Sequence, residues 1–209
     1  MPAQGLIDHE GTLRCWWCGT TPDYQHYHDH EWGRPVVDDH RLFEKLVLEG
    51  FQSGLSWLTI LRKRENFRSA FAQFDFDAIA RWPSSKVELL VGDAGIVRHR
   101  GKIEAAIANA KQAVALRDEF GSLAAYFWRF EPAASARPKR VTKRALTGMT
   151  KTPESIALAK DLKRRGFGFC GPTTMYALMQ AMGLVDDHLE GCAVRPAVEA
   201  ARAKLRRPK

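Results

Sequence analysis

The sequence has few of the features that mark membrane or secreted proteins. No apolar run approaches the ~20 residues that are needed to cross a bilayer. The first residues carry neither a basic start nor an apolar signal core. Only four cysteines occur in 209 residues, at uneven spacing, which excludes the disulfide framework of a small secreted domain. We therefore expect a cytoplasmic protein with reduced thiols.

Acidic residues are outnumbered by basic ones, 24 against 32, which gives a formal net charge of +8. Such an excess attracts polyanions, of which nucleic acid is the commonest inside cells. A merely basic, soluble surface explains the charge alone equally well. The hydrophobic share of 45% and the aromatic share of 10% indicate a folded chain. Its length suits one core or two closely packed subdomains.

Strand signals are scarce as well, because no convincing stretch alternates apolar and polar residues between hairpin turns. Helical periodicity is frequent instead. It predicts helices over residues 41–49, 55–74, 85–92, 103–120, 123–130, 153–165 and 172–182. Ser85 and Glu88 fit a capping box for the third of these. Thr152 and Pro153 fit a helix start, and Gly166 a helix end. The predicted fold class is all-α.

Residues 131–151 interrupt this periodicity and contain two prolines and several basic residues. We predict a loop here. The basic residues are Arg137, Lys139, Arg140, Lys143 and Arg144. Either the loop contacts phosphate or it is a solvated linker, and the sequence does not separate the two interpretations.

Two predicted helices within residues 153–183 are joined by a glycine-rich turn, Gly166-Phe167-Gly168-Phe169-Cys170-Gly171. Such a turn can direct backbone N–H groups outward, next to the positive end of the second helix. Those donors bind a phosphate without reading base sequence. Lys160, Lys163, Arg164 and Arg165 add charge on the same side. A helical pair that serves only for packing is the alternative.

Thiols and imidazoles occur near both ends of the chain. Cys15 and Cys18 lie close in sequence to His28, which His26 and His30 flank. His188 and Cys192 are four residues apart and would share one face of a helix. Two such pairs can complete a tetrahedral zinc site, which would be structural because four protein ligands leave no open position. Spacing alone does not choose between Cys15 and Cys18, and free thiols with surface histidines are the alternative.

Glu49 shares a helical stripe with Leu42 and Leu46, where a carboxylate is costly unless it has a partner. Aromatic residues occur nearby in sequence or beside the proposed metal ligands: Trp16, Trp17, Tyr27 and Trp57. A buried carboxylate beside aromatic faces suits a flat cation. The alternative is a glutamate at the helix edge that reaches water or an arginine.

Six segments, taken together and in order, resemble the DNA-3-methyladenine glycosylase I family, a bacterial repair family in the helix-hairpin-helix superfamily. They are YHDHEWG at 27–33, LEGFQSGLSW at 48–57, RKRENF at 62–67, DAGIVRHRGKI at 93–103, KRRGFGFCG at 163–171 and DHLEGC at 187–192. The resemblance runs from about Arg14 to Cys192. It departs from the family before Arg14, at Cys18, over residues 19–24 and in the 131–151 loop.

The resemblance implies a role for each group. It implies that one structural zinc ion joins the N- and C-terminal regions, with the ligands Cys15, His28, His188 and Cys192. It implies that Glu49 contacts the excised base as the catalytic residue, between walls formed by Trp17, Tyr27 and Trp57. It implies that the hairpin grips the DNA backbone through Gly166, Phe167, Gly168, Phe169, Gly171, Lys163, Arg164 and Arg165.

The implied activity is hydrolysis of the N-glycosidic bond of 3-methyladenine in alkylated duplex DNA, after base flipping, to leave an abasic site. The implied fold is the helix-hairpin-helix glycosylase fold. Other members of that superfamily carry an aspartate after the hairpin, whereas the residues after Gly171 here are Pro172-Thr173-Thr174-Met175. The alternatives are a zinc-stapled DNA-binding protein without catalysis and a glycosylase for another alkylpurine.

We expect three parts: an N-terminal extension over 1–13, a helical glycosylase domain over 14–195 with its helix-hairpin-helix motif at 153–183, and a basic tail over 196–209. We further expect a monomer without membrane attachment, located in the bacterial cytoplasm and on the nucleoid when it is bound to DNA.

Overall fold

The computed structural model describes residues 5–208. Residues 1–4 of the predicted extension and residue 209 of the predicted tail lie outside the described residues. The strands are β1 (Leu6–His9) and β2 (Thr12–Cys15). The helices are α1 (Pro22–His30), α2 (Asp39–Gln52), α3 (Trp57–Ala70), α4 (Phe76–Ala80), α5 (Ser85–Gly92), α6 (Arg100–Phe120), α7 (Leu123–Trp128), α8 (Lys143–Leu146), α9 (Pro153–Arg164), α10 (Pro172–Ala181) and α11 (Arg195–Lys204). Short 3-10 turns occur at Trp16–Cys18, Ala72–Phe74 and Ala134–Ala136.

The fold is mostly helical, and the all-α prediction needs one correction. Strands β1 and β2 form an antiparallel hairpin in which Leu6 pairs with Cys15 and His9 with Thr12. Each strand has only four residues, too few for an alternating pattern to stand out. The hairpin closes at Glu10 and Gly11, which both have positive φ. It ends at Cys15, so it carries a predicted metal ligand into the buried interior.

Helix α2 lies at the centre of the core and positions Glu49. Nine of its residues are buried, and it packs against α3, α6, α7 and α10. Asp38 caps its start by accepting a hydrogen bond from Arg41 N at 2.8 Å. The next residue, Asp39, accepts bonds from Leu123 N and Ala124 N of α7, at 3.0 and 2.9 Å. These bonds fix the start of α2 against the start of α7.

The predicted helical pair at 153–183 forms as α9 and α10. Thr152 caps α9 and exchanges reciprocal hydrogen bonds with Ser155, and Pro153 is the first helical residue. Gly166 follows α9 with a φ of +89°, which an L-residue with a side chain rarely adopts. Pro172 opens α10, as predicted. In contrast, the predicted capping box of Ser85 and Glu88 is wrong. Ser84 precedes α5 without a side-chain cap, and Ser85 is already helical.

Gly183 allows the chain to pass close to an earlier segment. Its φ is +75°, and an added Cβ would lie 2.5 Å from the backbone of Arg34 and Pro35. Val36 N donates a hydrogen bond to Met182 O at 3.1 Å beside this contact. After this crossing the chain reaches the N-terminal hairpin, where Ala193 N donates a hydrogen bond to Leu13 O at 2.9 Å.

The predicted loop and the predicted basic tail both contain helices. The 131–151 loop includes α8, whose four residues are too few to show a periodic pattern. Helix α11 covers most of the predicted basic tail and buries Val198. Within residues 5–208, no helix has the length and apolarity that a membrane crossing requires.

Candidate active site and metal centre

Four side chains from the two ends of the chain meet in one buried group, in which every ligand atom lies within 4.8 Å of the others: Cys15, His28, His188 and Cys192. Cys192 Sγ lies 3.6 Å from both His28 Nε2 and His188 Nδ1. Cys15 Sγ lies 3.9 Å from His188 Nδ1. Tetrahedral zinc, with bonds of about 2.0 Å to nitrogen and about 2.3 Å to sulfur, would separate these atoms by about 3.5 Å. The donor types and their spacing therefore fit a four-coordinate metal ion.

Neighbouring groups orient both imidazoles of this group. His28 Nδ1 lies 2.7 Å from Asp29 Oδ1, and Arg14 in turn holds Asp29 with hydrogen bonds of 2.8 to 3.0 Å. His188 Nε2 lies 3.0 Å from the carbonyl oxygen of Trp32. These contacts leave His28 Nε2 and His188 Nδ1 facing the centre of the group. Such outer contacts are typical of metal-binding histidines.

Cys18 lies beside this group but does not join it. Its Sγ donates a hydrogen bond to Cys15 O at 3.1 Å, and burial raises the pKa of the thiol to about 11. Of the two cysteines that the spacing left open, the structure brings Cys15 into the group.

A cavity of about 270 Å³ lies next to the metal-binding group. Its aromatic lining consists of Trp16, Trp17, Tyr24, Tyr27, Trp32 and Trp57. Its polar lining consists of Glu49, Gln52, Gln180 and Asp187. The volume is slightly below the ~300–1,000 Å³ of pockets for drug-sized ligands, so it suits a single flat ring system. The four residues of the predicted base pocket all line this one cavity.

Glu49 is 5% exposed, and the carboxylate is paired with an ammonium group from its own helix. Lys45 Nζ lies 2.9 Å from Glu49 Oε1 and donates a hydrogen bond to Tyr27 OH at 2.8 Å. The same Nζ lies 3.2 Å from the centroid of the Trp57 ring. Burial lowers the pKa of Lys45, whereas the charge of Glu49 opposes that shift. Burial, together with the charge of Glu49, raises the pKa of Tyr27 well above its usual value.

Sequence reasoning missed several residues of this site. Lys45 is one helical turn before Glu49, and that spacing was the available signal. Asp187 lies in a segment that carries the family resemblance, but it was given no role. It is buried and accepts hydrogen bonds from Tyr176 OH at 2.5 Å, from Gln180 Nε2 at 2.9 Å and from Arg137. No local pattern connects it with those partners.

The turn between α9 and α10 packs against α2 and α6. A Cβ on Gly50 would lie 3.2 Å from Phe169 Cβ, so the turn touches α2 beside Glu49. Asn109 of α6 holds Gly168 twice: Oδ1 accepts from Gly168 N at 2.8 Å, and Nδ2 donates to Gly168 O at 3.1 Å. Gly166 N and Phe167 N are bonded to carbonyl oxygens of α9.

The remaining donors of this turn are the N–H groups of Phe169, Cys170 and Gly171, which have no acceptor within residues 5–208. They precede the N-terminus of α10. Among the nearby cations, Arg165 pairs with Glu119 at 2.6 Å and with Asp161 at 2.7 Å, and Arg164 also pairs with Asp161. Lys163 is exposed and has no acidic partner in the described part of the chain. Fewer N–H groups and cationic side chains of this turn are therefore free to bind an anion than the sequence predicted.

Comparisons with known proteins agree on one family. The family model described as methyladenine glycosylase matches residues 17–195. DNA-3-methyladenine glycosylase of Haemophilus influenzae is 46% identical over 184 residues, which are 87% of this chain and 97% of the relative. A crystal structure of 3-methyladenine DNA glycosylase I has a TM-score of 0.80 and 47% identity, and the match covers 88% of this chain and 100% of that one.

A further solved structure, described as the structural basis of 3-methyladenine recognition by 3-methyladenine DNA glycosylase I from Staphylococcus aureus, has a TM-score of 0.77. It is 35% identical, and the match covers 85% of this chain and 93% of that one. The matched family model includes Glu49, all the aromatic residues of the cavity except Trp16, and three of the four metal-binding side chains. The chain belongs to the methyladenine glycosylase family.

Proposed function

We propose that this protein is a DNA glycosylase that removes 3-methyladenine from alkylated double-stranded DNA and leaves an abasic site. The observation that carries the proposal is the buried carboxylate of Glu49 in a cavity with six aromatic side chains. A protein that only bound DNA backbone would have no use for an acid in such a cavity. Family membership and the named activities of the relatives support the same conclusion.

The cavity selects its ligand by charge and by stacking. 3-Methyladenine in DNA carries a positive charge, so the rings of Trp17, Tyr27 and Trp57 attract it through stacking and cation–π contacts. The Glu49 carboxylate adds charge attraction and hydrogen bonding to the base. A neutral purine gains less from this environment.

The reaction needs little acid catalysis because the glycosidic bond of the charged base is already weak. The bond between the sugar carbon and the base nitrogen breaks, and its electron pair neutralises the departing base. The oxygen of a water molecule bonds to the sugar carbon, and the proton that this water loses passes to solvent. Glu49 acts on the base in this scheme, since it lines the cavity that holds it.

The base must leave the duplex before it can enter the cavity, which costs a few kcal/mol and less for a weakly paired lesion. We propose that α9 and α10 form a helix-hairpin-helix motif that offsets part of this cost by holding the DNA backbone. The predicted contacts are Gly166, Phe167, Gly168, Phe169, Gly171, Lys163, Arg164 and Arg165. The N–H groups at 169–171 and the Lys163 ammonium, which have no partners within the described part of the chain, support this surface as the point of contact.

We propose that Cys15, His28, His188 and Cys192 hold one zinc ion. A zinc ion with four protein ligands contributes folding energy and has no position for substrate. The base cavity therefore depends on this site for its shape and not for its chemistry. The division into an extension, a glycosylase domain and a tail, and the monomeric state, are parts of the same proposal.

The test is the release of free bases from methylated duplex DNA under single-turnover conditions. The wild type should release 3-methyladenine, and Glu49→Gln should slow release by about 100-fold or more. Its DNA affinity should change by no more than about twofold, because Glu49 lines the cavity and makes no hydrogen bond to the backbone-binding turn within residues 5–208. Glu44→Gln is the matched control, since Glu44 is on the same helix but bonds to Arg68.

Three results would count against this assignment. A folded wild type that releases no 3-methyladenine would favour a glycosylase for another alkylpurine or a binding protein. Release by Glu49→Gln at the wild-type rate would exclude the role of Glu49. Equal losses in Glu44→Gln and Glu49→Gln would show that the effect comes from helix α2 as a whole.

A further inference from the structure

Lys45 is a buried cation that touches three residues of the base cavity at once. It is 5% exposed and lies on α2, one turn before Glu49. Its Nζ lies 2.9 Å from Glu49 Oε1, 2.8 Å from Tyr27 OH and 3.2 Å from the centroid of the Trp57 ring. A single ammonium group therefore contacts the carboxylate and two of the aromatic walls.

Lys45 reaches these residues from behind. It does not line the base cavity but a separate rear space of about 30 Å³, which shares Tyr27 and Trp57 with that cavity. Glu31 and Arg64, paired with each other, also line that rear space. A base in the main cavity would therefore meet Glu49, Tyr27 and Trp57 without touching Lys45.

The two oxygens of Glu49 are in different situations. Oε1 is held by Lys45, whereas Oε2 has no hydrogen-bond partner among residues 5–208 and is not among the fully enclosed polar atoms. Since Glu49 lines the cavity, the free oxygen is the one available to a base. By binding Oε1, the ammonium group thus determines that Oε2 is the Glu49 oxygen that is available in the cavity.

A buried ammonium is costly to keep unless it is paired and hydrogen-bonded. Burial lowers the pKa of Lys45, and the charge of Glu49 opposes that shift. Another buried lysine, Lys102, shows a different arrangement. Its Nζ donates to the carbonyl oxygens of Phe51 and Ser53 at the end of α2, at 2.9 and 2.5 Å, and has no carboxylate partner among the described residues.

We propose that Lys45 is a positioning residue of the base pocket, which acts on the reaction through Glu49 by fixing its carboxylate with one oxygen toward the base. The proposal rests on the proposed glycosylase function. It explains why a pocket that attracts a cationic base also has the Lys45 ammonium group next to Glu49. Lys45 orients the acid and does not occupy the place of the base, because it does not line the base cavity.

A double-mutant cycle tests this proposal, with Lys45→Met, Glu49→Gln and the two combined. The readout is single-turnover release of 3-methyladenine from methylated duplex DNA. Lys45→Met should slow release by about tenfold in the wild-type background and by less than about twofold in the Glu49→Gln background. A merely structural lysine would give the same loss in both backgrounds. DNA affinity should stay within about twofold in every variant.

Thermal unfolding provides a second readout that needs no activity. Glu49→Gln removes the counter-ion of a buried ammonium and should lower Tm, and adding Lys45→Met should restore part of that loss. Lys102→Met is the matched control: it should lower Tm additively with Glu49→Gln, because Lys102 has no contact with that residue. Lys45→Gln serves if the methionine variant does not fold.

The outcomes separate this proposal from the function on which it rests. Absence of base release by the wild type would overturn the glycosylase function and the positioning role together. Wild-type release with an unaffected Lys45→Met variant, or with equal losses in both backgrounds, would overturn the positioning role alone. Additive Tm changes for Lys45 and Glu49 would likewise contradict it.

Discussion

Gly183 is a residue at which an added Cβ should strongly destabilise the folded state. Its φ is positive, and an added Cβ would lie 2.5 Å from the backbone of Arg34 and Pro35, which leaves no room for a side chain. Gly183→Ala should lower the free energy of unfolding by about 3 kcal/mol or more, measured by denaturant unfolding.

Gly148→Ala is the control for that substitution. Gly148 has a φ of +85° but no atom of residues 5–208 within 4 Å of an added Cβ, so only the backbone strain applies, about 1 kcal/mol. If both variants lost the same stability, the close approach of the two chain segments would not be the cause.

Among the individual residues of the pocket, Glu49 was predictable from the sequence and its partner Lys45 was not. Glu49 falls on an apolar stripe, which marks a carboxylate that must be buried with a partner. Lys45 has the correct spacing, but a lysine on a helix usually extends its ammonium into water. Whether it turns inward depends on Tyr27 and Trp57, which come from other helices. Sequence spacing contains no information on those contacts.

Among the elements, the turn between α9 and α10 depends on one side chain of α6. Asn109→Leu would leave the N–H and the carbonyl of Gly168 without their partners, so the turn should loosen. We expect DNA affinity to fall by about tenfold at fixed salt, measured by fluorescence anisotropy. The rate of base release at saturating enzyme should change much less.

Gln112→Leu is the matched control for that experiment. Gln112 is on the same face of α6, and its side chain lies near Gly166, 3.6 Å from the position of an added Cβ. It makes no hydrogen bond to the turn in the described part of the chain. An equal loss of affinity in both variants would mean that the Asn109 bonds do not hold the turn in the conformation proposed to bind DNA.

The last turn of α9 should respond to acid. Burial of Asp161 opposes its ionisation, but hydrogen bonds from Arg165, Arg164 and Tyr126 outweigh that effect and lower the pKa to about 2. The pKa of an unfolded aspartate is near 3.8, so the folded state binds this proton less readily. The stabilisation is therefore complete above about pH 4 and disappears as the pH falls to about 2.

After allowance for solvent screening, Asp161→Asn should lower the free energy of unfolding by about 1 kcal/mol at neutral pH. The free energy of unfolding of this variant should also fall less than that of the wild type between about pH 4 and pH 2. Denaturant unfolding at several pH values measures this. Asp118→Asn is the control, because Asp118 is an exposed partner of Arg117. The idea fails if the two variants show the same dependence of stability on pH.

Element prediction succeeded for five of the longer helices but missed α1 and α11, which have nine and ten residues. Helices α2, α3, α6, α9 and α10 show several turns of apolar periodicity with recognisable ends. The four-residue strands β1 and β2 and the four-residue α8 do not. The Ser85 capping box failed because the helix begins one residue earlier than a cap at Ser85 requires.

For the whole molecule, the metal-binding group connects segments that nothing local would bring together. Cys15 and His28 form one pair near the start of the chain, and His188 and Cys192 form another near its end. Each pair was visible from spacing, but their meeting depends on the complete fold, including the crossing at Gly183. The resemblance to a family supplied that connection in advance of the structure.

Removal of the metal should affect stability throughout the molecule. The wild type should contain about one zinc ion per chain, and a strong chelator should lower its Tm. Cys192→Ser should lose the zinc and show a similarly low Tm. Zinc content by elemental analysis, together with thermal unfolding, measures both effects.

Cys18→Ser is the control for the metal experiment, since Cys18 bonds to Cys15 O outside the group. It should keep its zinc and most of its stability. Zinc loss from Cys18→Ser, with retention in Cys192→Ser, would show that a different set of ligands binds the ion.

The span of the metal-binding group also has a consequence for biosynthesis. Every residue that lines the base cavity lies between Cys15 and Cys192 in the sequence. The ribosome synthesises the chain from its N-terminus, so Cys192, which contacts His28, is added 164 residues after it. The group can close only after Cys192 has been translated, which comes after every residue of the cavity lining: a polypeptide that stops between Asp187 and Cys192 contains the whole lining but lacks a member of the group that closes it.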